Sequence, residues 1–190
     1  MNPTPSIPVT PLDRQPTLTG DRVELRPTRP DDWAAHWAIA ADPQMWEVHP
    51  AWDRYKEPVF RAYFDANLAS GGSLTTLDRA TGAVIGASRY WEVDPATNAV
   101  EIGATYLARA HWGSGINREV KRLMVGHALG AVEAVTFRVG AGNIRSRRAL
   151  EKIGARLTDR TDMSIMAGVP TEHVIYEITR EGFATGPLCF

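Results

Sequence analysis

The 190 residues are 44% hydrophobic and 23% charged, the composition of one globular domain rather than of a disordered polymer. A single cysteine, Cys189, excludes an internal disulfide, a thiolate metal cluster and a CxxC redox pair. A net charge of -1 argues against a nucleic-acid track, and no apolar run approaches the roughly 18 residues of a membrane span.

In chain order, residues 1–17 form a Pro-rich arm with Pro3, Pro5, Pro8, Pro11 and Pro16 and little apolar content. The start lacks the basic and apolar regions of a secretory leader, so a cytoplasmic protein is expected. Residues 22–26 alternate apolar and charged as a half-buried strand does. Pro30-Asp31-Asp32 then opens a helix, with Trp33, Trp37 and Ala40 on one face, and Asp42-Pro43 ends it. A Trp-rich connection over 45–55 leads to a second helix over 57–69, closed by Gly71-Gly72. Strands follow at 73–78, 84–93 and 99–107, joined by turns at Arg79-Ala-Thr-Gly82 and Asp94-Pro95-Ala-Thr. Ile116, Val120, Leu123, Met124 and His127 recur at spacings of three and four, predicting a helix over 115–129. A short strand at 135–139, a helix at 144–153 and a strand at 173–179 complete the domain, which spans 18–182 and leaves 183–190 as a tail. The order predicts an α/β (α+β) fold: a central mixed sheet with helices on both faces. The strand–helix–strand unit over 99–139 should be a right-handed parallel crossover, with a ligand beyond the carboxyl ends of its strands.

That position is the turn Leu107-Ala-Arg109-Ala-His-Trp112-Gly113-Ser114-Gly115-Ile116-Asn117-Arg118. Residues 109–160 carry eleven basic side chains against four acidic ones, which suits an anion held locally or, equally, solvated helix faces. Two glycines just before a helix let backbone N–H groups converge where the helix dipole is positive, an arrangement that binds phosphate. The same pair also serves as an ordinary tight turn. Neither a Walker loop nor a dinucleotide fingerprint is present, since no Gly-x-x-x-x-Gly-Lys occurs and Arg118 stands where a third glycine would. In the second segment, Asn143-Ile-Arg145-Ser146-Arg-Arg-Ala-Leu150-Glu-Lys-Ile-Gly154, Asn143 reads as a helix N-cap and Gly154 as a left-handed stop.

With both segments in register, the chain resembles the GNAT acetyltransferase superfamily, and looks closest to its ribosomal-protein-alanine (RimJ/RimL-like) branch. The resemblance rests on Glu101-Ile-Gly103, Trp112-Gly-Ser-Gly-Ile-Asn-Arg-Glu-Val-Lys121, Asn143-x-x-Ser146-x-x-Ala-Leu-Glu-Lys-Ile-Gly154 and the closing Thr171-Glu-His-Val-Ile-Tyr-Glu-Ile-Thr-Arg180, and covers roughly 18–180. It implies a single domain whose mixed, mostly antiparallel sheet holds one splayed parallel pair, strands 99–107 and 135–139. The pantetheine arm of acetyl-CoA lies in that gap and its pyrophosphate rests on the N–H groups of 113–117. The cofactor contacts implied are Tyr106 and Leu107 from the strand; Arg109, Trp112, Gly113, Ser114, Gly115, Ile116, Asn117 and Arg118 from the turn; and Asn143, Arg145 and Ser146 from the second segment. Trp112 and Asn117 depart from the family's usual Arg/Gln and small residue.

The chemistry requires a neutral amine, a polarised carbonyl and a proton route. Glu101, a carboxylate in an otherwise apolar strand, is the candidate base, or else a carboxylate on a solvated face. The family's frequent tyrosine acid is replaced by Leu150, which leaves Ser146, as the resemblance also suggests, or Tyr176. The histidines show no metal-ligand spacing; His127 reads as a core residue. Trp46 and Trp52 are candidates for one wall of an acceptor cleft. The expected activity is acetyl transfer to a primary amine, the N-terminal α-amine of a protein or peptide foremost. A small amine as acceptor and a non-catalytic acyl-CoA sensor stand as alternatives. No nucleic acid or membrane partner is expected, and a homodimer is left open.

Overall fold

Alternation at the start of the domain produces a two-residue strand β1 (Leu18–Thr19) and β2 (Val23–Pro27) in a computed structural model that describes residues 11–189. Pro30–Asp32 makes a tight 3-10 turn into α1 (Trp33–Ala40), and Asp42 caps another at Pro43–Met45, accepting the Gln44 N–H at 3.0 Å. The remaining elements are α2 (Glu57–Ala69), β3 (Ser73–Asp78), β4 (Val84–Asp94), β5 (Ala99–Leu107), α3 (Ile116–Leu129), β6 (Ala134–Gly140), α4 (Ile144–Lys152), β7 (Arg156–Met166), β8 (Val169–Thr179) and α5 (Arg180–Thr185). The strands form one eight-stranded sheet in the order β1-β2-β3-β4-β5-β6-β8-β7. Every neighbouring pair is antiparallel except β5 and β6.

That exception controls the site. β5 and β6 pair only at Ala99↔Ala134, Val100↔Val135 and Glu101↔Thr136, although β5 continues to Leu107 and β6 to Gly140. A bulge bends β5: its register with β4 shifts between Gly103 and Tyr106, with Ala104 at φ +50°. Meanwhile β6 stays zipped to β8 along its whole length, Ala134↔Thr179 to Gly140↔His173. One strand follows its left neighbour and the other its right, so the parallel pair opens into a V.

Successive residues of a strand point to opposite faces, and β4 shows which helices lie where. Arg89 donates from Nη1 to Asn67 of α2 at 3.2 Å, while the next residue, Tyr90, donates its hydroxyl to the Met124 carbonyl of α3 at 2.6 Å. On the α3 face, Val120, Met124 and Val125, with Leu150 of α4 and Ile153 just after it, pack on Leu25, Val100, Ile102, Val135 and Phe137. Each such side chain contributes roughly 1.5–3 kcal/mol when fully buried. On the other face Trp33, Trp37, Trp46, Phe60 and Phe64 join α1 and α2.

Several sequence expectations need correction. Residues 183–190 are not simply a tail: α5 occupies the first part, capped by Thr179, and Leu188 is 1% exposed in the main core. β8 starts earlier than expected and pairs with β7 in a hairpin turned by Ala167 and Gly168, both left-handed. Of the Pro-rich arm, residues 1–10 lie outside the described residues. Within 11–17, Leu12 packs against the core and Arg14 donates to the Ser70 carbonyl at 3.3 Å. His127 is half-buried rather than core, with Nε2 2.7 Å from the Asp13 carbonyl.

Candidate active site

From Leu107 the chain passes through a 3-10 turn, Arg109–His111, to the two glycines. Gly113 (φ +73°) and Gly115 (φ +86°) are left-handed, a conformation a Cβ disfavours, and Gly115 is the N-cap of α3 without any side-chain cap. The backbone N–H groups of Gly113, Ser114, Gly115, Asn117 and Arg118 have no acceptor among the described residues. They are amides prepared for an anion.

Cations surround this loop by routes the local sequence does not reveal. Arg22, at the start of β2, donates Nη1 to the Ser114 carbonyl at 2.9 Å and Nε to Glu119 at 3.1 Å. Buried Glu119 also accepts the Arg22 N–H at 2.8 Å, so α3 is anchored to β2. Arg145 of α4 lies 4.2 Å over the Trp112 ring and donates to the Met45 carbonyl at 2.8 Å. The indole N–H of Trp112 in turn donates to the Leu107 carbonyl at 2.9 Å. Trp112 removes a side-chain donor from the loop, but it carries a guanidinium from α4 on its face. Of the two arginines expected among the cofactor contacts of the turn, Arg109 pairs with Asp42 and Arg118 donates to the Pro187 carbonyl.

Glu101 stands at the vertex of the V, half-buried, with no hydrogen-bond partner among the described residues. Burial pushes its carboxyl above the usual range, partly offset by Arg138 and Arg89. Gly103 makes room for it: a Cβ there would lie 2.9 Å from Trp91 Nε1 and 3.0 Å from Glu101 Oε1. Arg89 stacks 3.3 Å over the Trp91 ring on the same face.

Tyr106 is placed differently from a simple cofactor contact. Its side chain enters the α1/α2 face, where its hydroxyl lies 2.8 Å from His36 Nδ1, and His36 Nε2 lies 2.9 Å from Thr75. Burial pushes the His36 imidazole down to about 4, so this ring is neutral and structural. Tyr63 donates to the Ala104 carbonyl at 3.2 Å and so holds the bulge. The acid candidates also separate. Leu150 is buried, and the Tyr176 hydroxyl is committed, donating to Glu151 at 2.8 Å and accepting from Arg147 at 3.1 Å. Ser146 is half-buried at the start of α4, its N–H bonded to the Asn143 side chain at 3.2 Å. Trp46, expected at a cleft wall, is instead core: 3% exposed, with its indole N–H on the Ala40 carbonyl at 2.8 Å. Trp52 is exposed.

A parallel pair that opens over a helix start rich in unused amides is the frame of an acyltransferase. The Acetyltransferase (GNAT) domain family matches residues 22–156, and the chain belongs to that family. Its members use acetyl-CoA as acyl donor. No curated protein matches the chain. Among solved structures it is similar to a GCN5-related N-acetyltransferase from Brucella melitensis, with 18% identity and a TM-score of 0.79 over 91% of this chain and 82% of that one. It is also similar to Mycobacterium smegmatis RimJ in complex with CoA-disulfide, with 20% identity and a TM-score of 0.68 over 88% and 86% of the two chains. The microcin C7 self immunity acetyltransferase MccE, in complex with acetyl-CoA and AMP, matches at 13% identity and a TM-score of 0.69 over 84% and 93%. The residues present fit the family's donor: the N–H groups of Gly113, Ser114, Gly115, Asn117 and Arg118 have no competing acceptor among the described residues, and β5 and β6 stay unpaired beyond Glu101. Among the described residues no helix is long and apolar enough to cross a membrane.

Proposed function

We propose that this chain transfers an acetyl group from acetyl-CoA to the N-terminal α-amine of a protein or peptide. The observation that carries the reading is the parting of β5 and β6 just past Glu101, with uncommitted amides at the open end and an uncommitted carboxylate at the closed end. Gly113, Ser114, Gly115, Ile116 and Asn117 would hold the pyrophosphate through their backbone. Arg22 and the Arg145–Trp112 stack place positive charge beside them. The backbone at Tyr106 and Leu107 would form one wall of the gap, with Asn143 and Ser146 on the side of α4. When bound, the donor supplies an activated thioester carbonyl.

Glu101 takes the proton the amine releases. An α-amino group, with a pKa of about 8, is roughly a tenth neutral at pH 7, whereas a lysine amine near 10.4 is almost wholly charged. A carboxyl lifted above its ordinary range by burial is a better match to the first than an exposed one.

The test is an acceptor panel read by thiol release: turnover on peptides with free N-termini supports the reading, and turnover on small amines alone overturns it. Within that panel, Glu101→Gln should lower kcat by about 10²–10⁴; a wild-type rate removes Glu101 from the chemistry. The acid limb of the wild-type pH profile should lie above the ordinary glutamate range. The same raised pKa has a stability sign. The folded state binds the extra proton, so stability is present below the unfolded pKa and declines as pH rises through the folded one. Glu101→Gln should therefore melt about 1–3 °C higher at neutral pH and show no gain in acid.

A further inference from the structure

Lys121 lies on α3 and is 4% exposed. Its Nζ donates to Thr105 Oγ1 of β5 at 2.7 Å and to Ser88 Oγ of β4 at 3.4 Å, and sits 5.4 Å from the ring centre of Phe137 on β6. Thr105 and Phe137 both lie beyond Glu101↔Thr136, the last pair the two parallel strands make. The nitrogen is therefore at the α3 side of the V, touching both of its arms. Along β5 it sits at Thr105, four residues past Glu101 on the stretch that β6 leaves unpaired.

Nothing on the surrounding elements explains a charge there. The groups facing Lys121 are hydroxyls from β4 and β5 and a ring from β6, and no salt bridge to it occurs among the described residues. Glu119, two residues away on α3, is turned to Arg22. Burial alone pushes the Lys121 amine down to about 7. A buried ammonium with no counter-ion is costly, and an aliphatic side chain of that length would fill the space without the cost. A negative charge that develops in the gap would reverse this balance. The reaction develops one on sulfur, and the usual acids are missing: Leu150 has no proton to give and the Tyr176 proton is held by Glu151.

We propose that Lys121 is the general acid that protonates the coenzyme A sulfur as the thioester breaks. The inference rests on the acetyl-transfer reading above. The acceptor nitrogen's lone pair forms the C–N bond, the C–S pair departs on sulfur, and sulfur takes a proton from the Lys121 ammonium. Glu101 takes the proton that the amine gives up. Lys121, left neutral, is reprotonated from solvent through the hydroxyl of Thr105, an exposed residue, and Glu101 returns its proton to water. Net, one proton passes from amine to thiol. In the empty site burial holds the amine near 7; a thiolate forming beside it favours the ammonium, and the ammonium in turn favours the thiolate, so the proton moves between groups of similar pKa.

The experiment titrates the thiol of bound coenzyme A by thiolate ultraviolet absorbance, in wild type, Lys121→Met and Lys121→Arg, with affinity from calorimetry. In wild type the bound thiol should titrate about one pH unit below its free value of about 8.5. Lys121→Met should restore the free value or exceed it, bind coenzyme A within about threefold of wild type, and lose about 10²–10⁴ in kcat. Lys121→Arg should keep the thiol depression, because the charge remains, yet stay slow because guanidinium does not release its proton. A bound thiol that titrates identically in wild type and Lys121→Met, or an undiminished kcat in that variant, overturns the proposal while leaving acetyl transfer intact. If neither variant folds, the wild-type titration decides alone: a thiol at or above the free value ends the proposal. Wild type that fails to bind coenzyme A is a separate result, because it removes the acetyl-transfer reading itself.

Discussion

Two helices begin beside the V, and they begin differently. At α4 the Asn143 side chain, 3% exposed, accepts the Ser146 N–H at 3.2 Å, and Arg147 N–H reaches the Asn143 carbonyl at 3.1 Å. At α3 the N-cap is a glycine with no side chain to offer, and the turn before it leaves its amides unused. A helix start that satisfies its own donors is structure; one that leaves them open is suited to a ligand. Both segments carry glycine or asparagine, arginines and a serine, so composition alone does not tell them apart.

The sharpest way to break this contrast is Gly115→Val. At φ +86° a β-branched side chain is strained, and its Cβ would sit 3.2 Å from Arg22 Nη2. Losing two charge-assisted amide bonds, each worth about 1.5–3 kcal/mol, should weaken coenzyme A by about 10² or more in calorimetry. An unchanged affinity would place the phosphate site elsewhere. Asn143→Ala probes the closed start. It should cost about 1 kcal/mol, seen as roughly 2–4 °C in Tm, with coenzyme A affinity within about threefold. A large loss of binding without a loss of stability would make Asn143 a ligand contact and erase the distinction. Trp112→Ala, which removes the surface on which Arg145 rests, carries the smallest effect. The cation–π contact is worth about 0.5–1 kcal/mol, so binding should fall about two- to fivefold, and equal salt dependence in both proteins would deny Arg145 a share in holding the phosphates.

Much of the fold was legible because its signals are local. The proline and acids before α1, the Asp94 turn, the glycine pair before α3 and the Asn143 cap act within a few residues, and each sits where the pattern put it. The strand–helix–strand crossover followed from periods of two and 3.6 residues, and β5 and β6 are parallel as expected. α5 escaped because six residues carry too short a pattern to register. Lys121 left a faint trace: it lies four residues before Val125 and seven before Ala128, on the apolar stripe of α3, where a lysine is out of place. Arg22 left none, being far away in the chain from the loop it supports.

What the sequence by itself determined is therefore the order of elements, the helix starts and stops, and the family, since short-range sterics and hydrogen bonding write those into neighbouring residues. Tertiary structure alone decided how far β5 and β6 stay paired, because that reflects competition between the β5 bulge and the β8 ladder. It also decided the protonation of Glu101 and Lys121, because both shifts arise first from loss of water, and exclusion of water depends on elements drawn from distant parts of the chain.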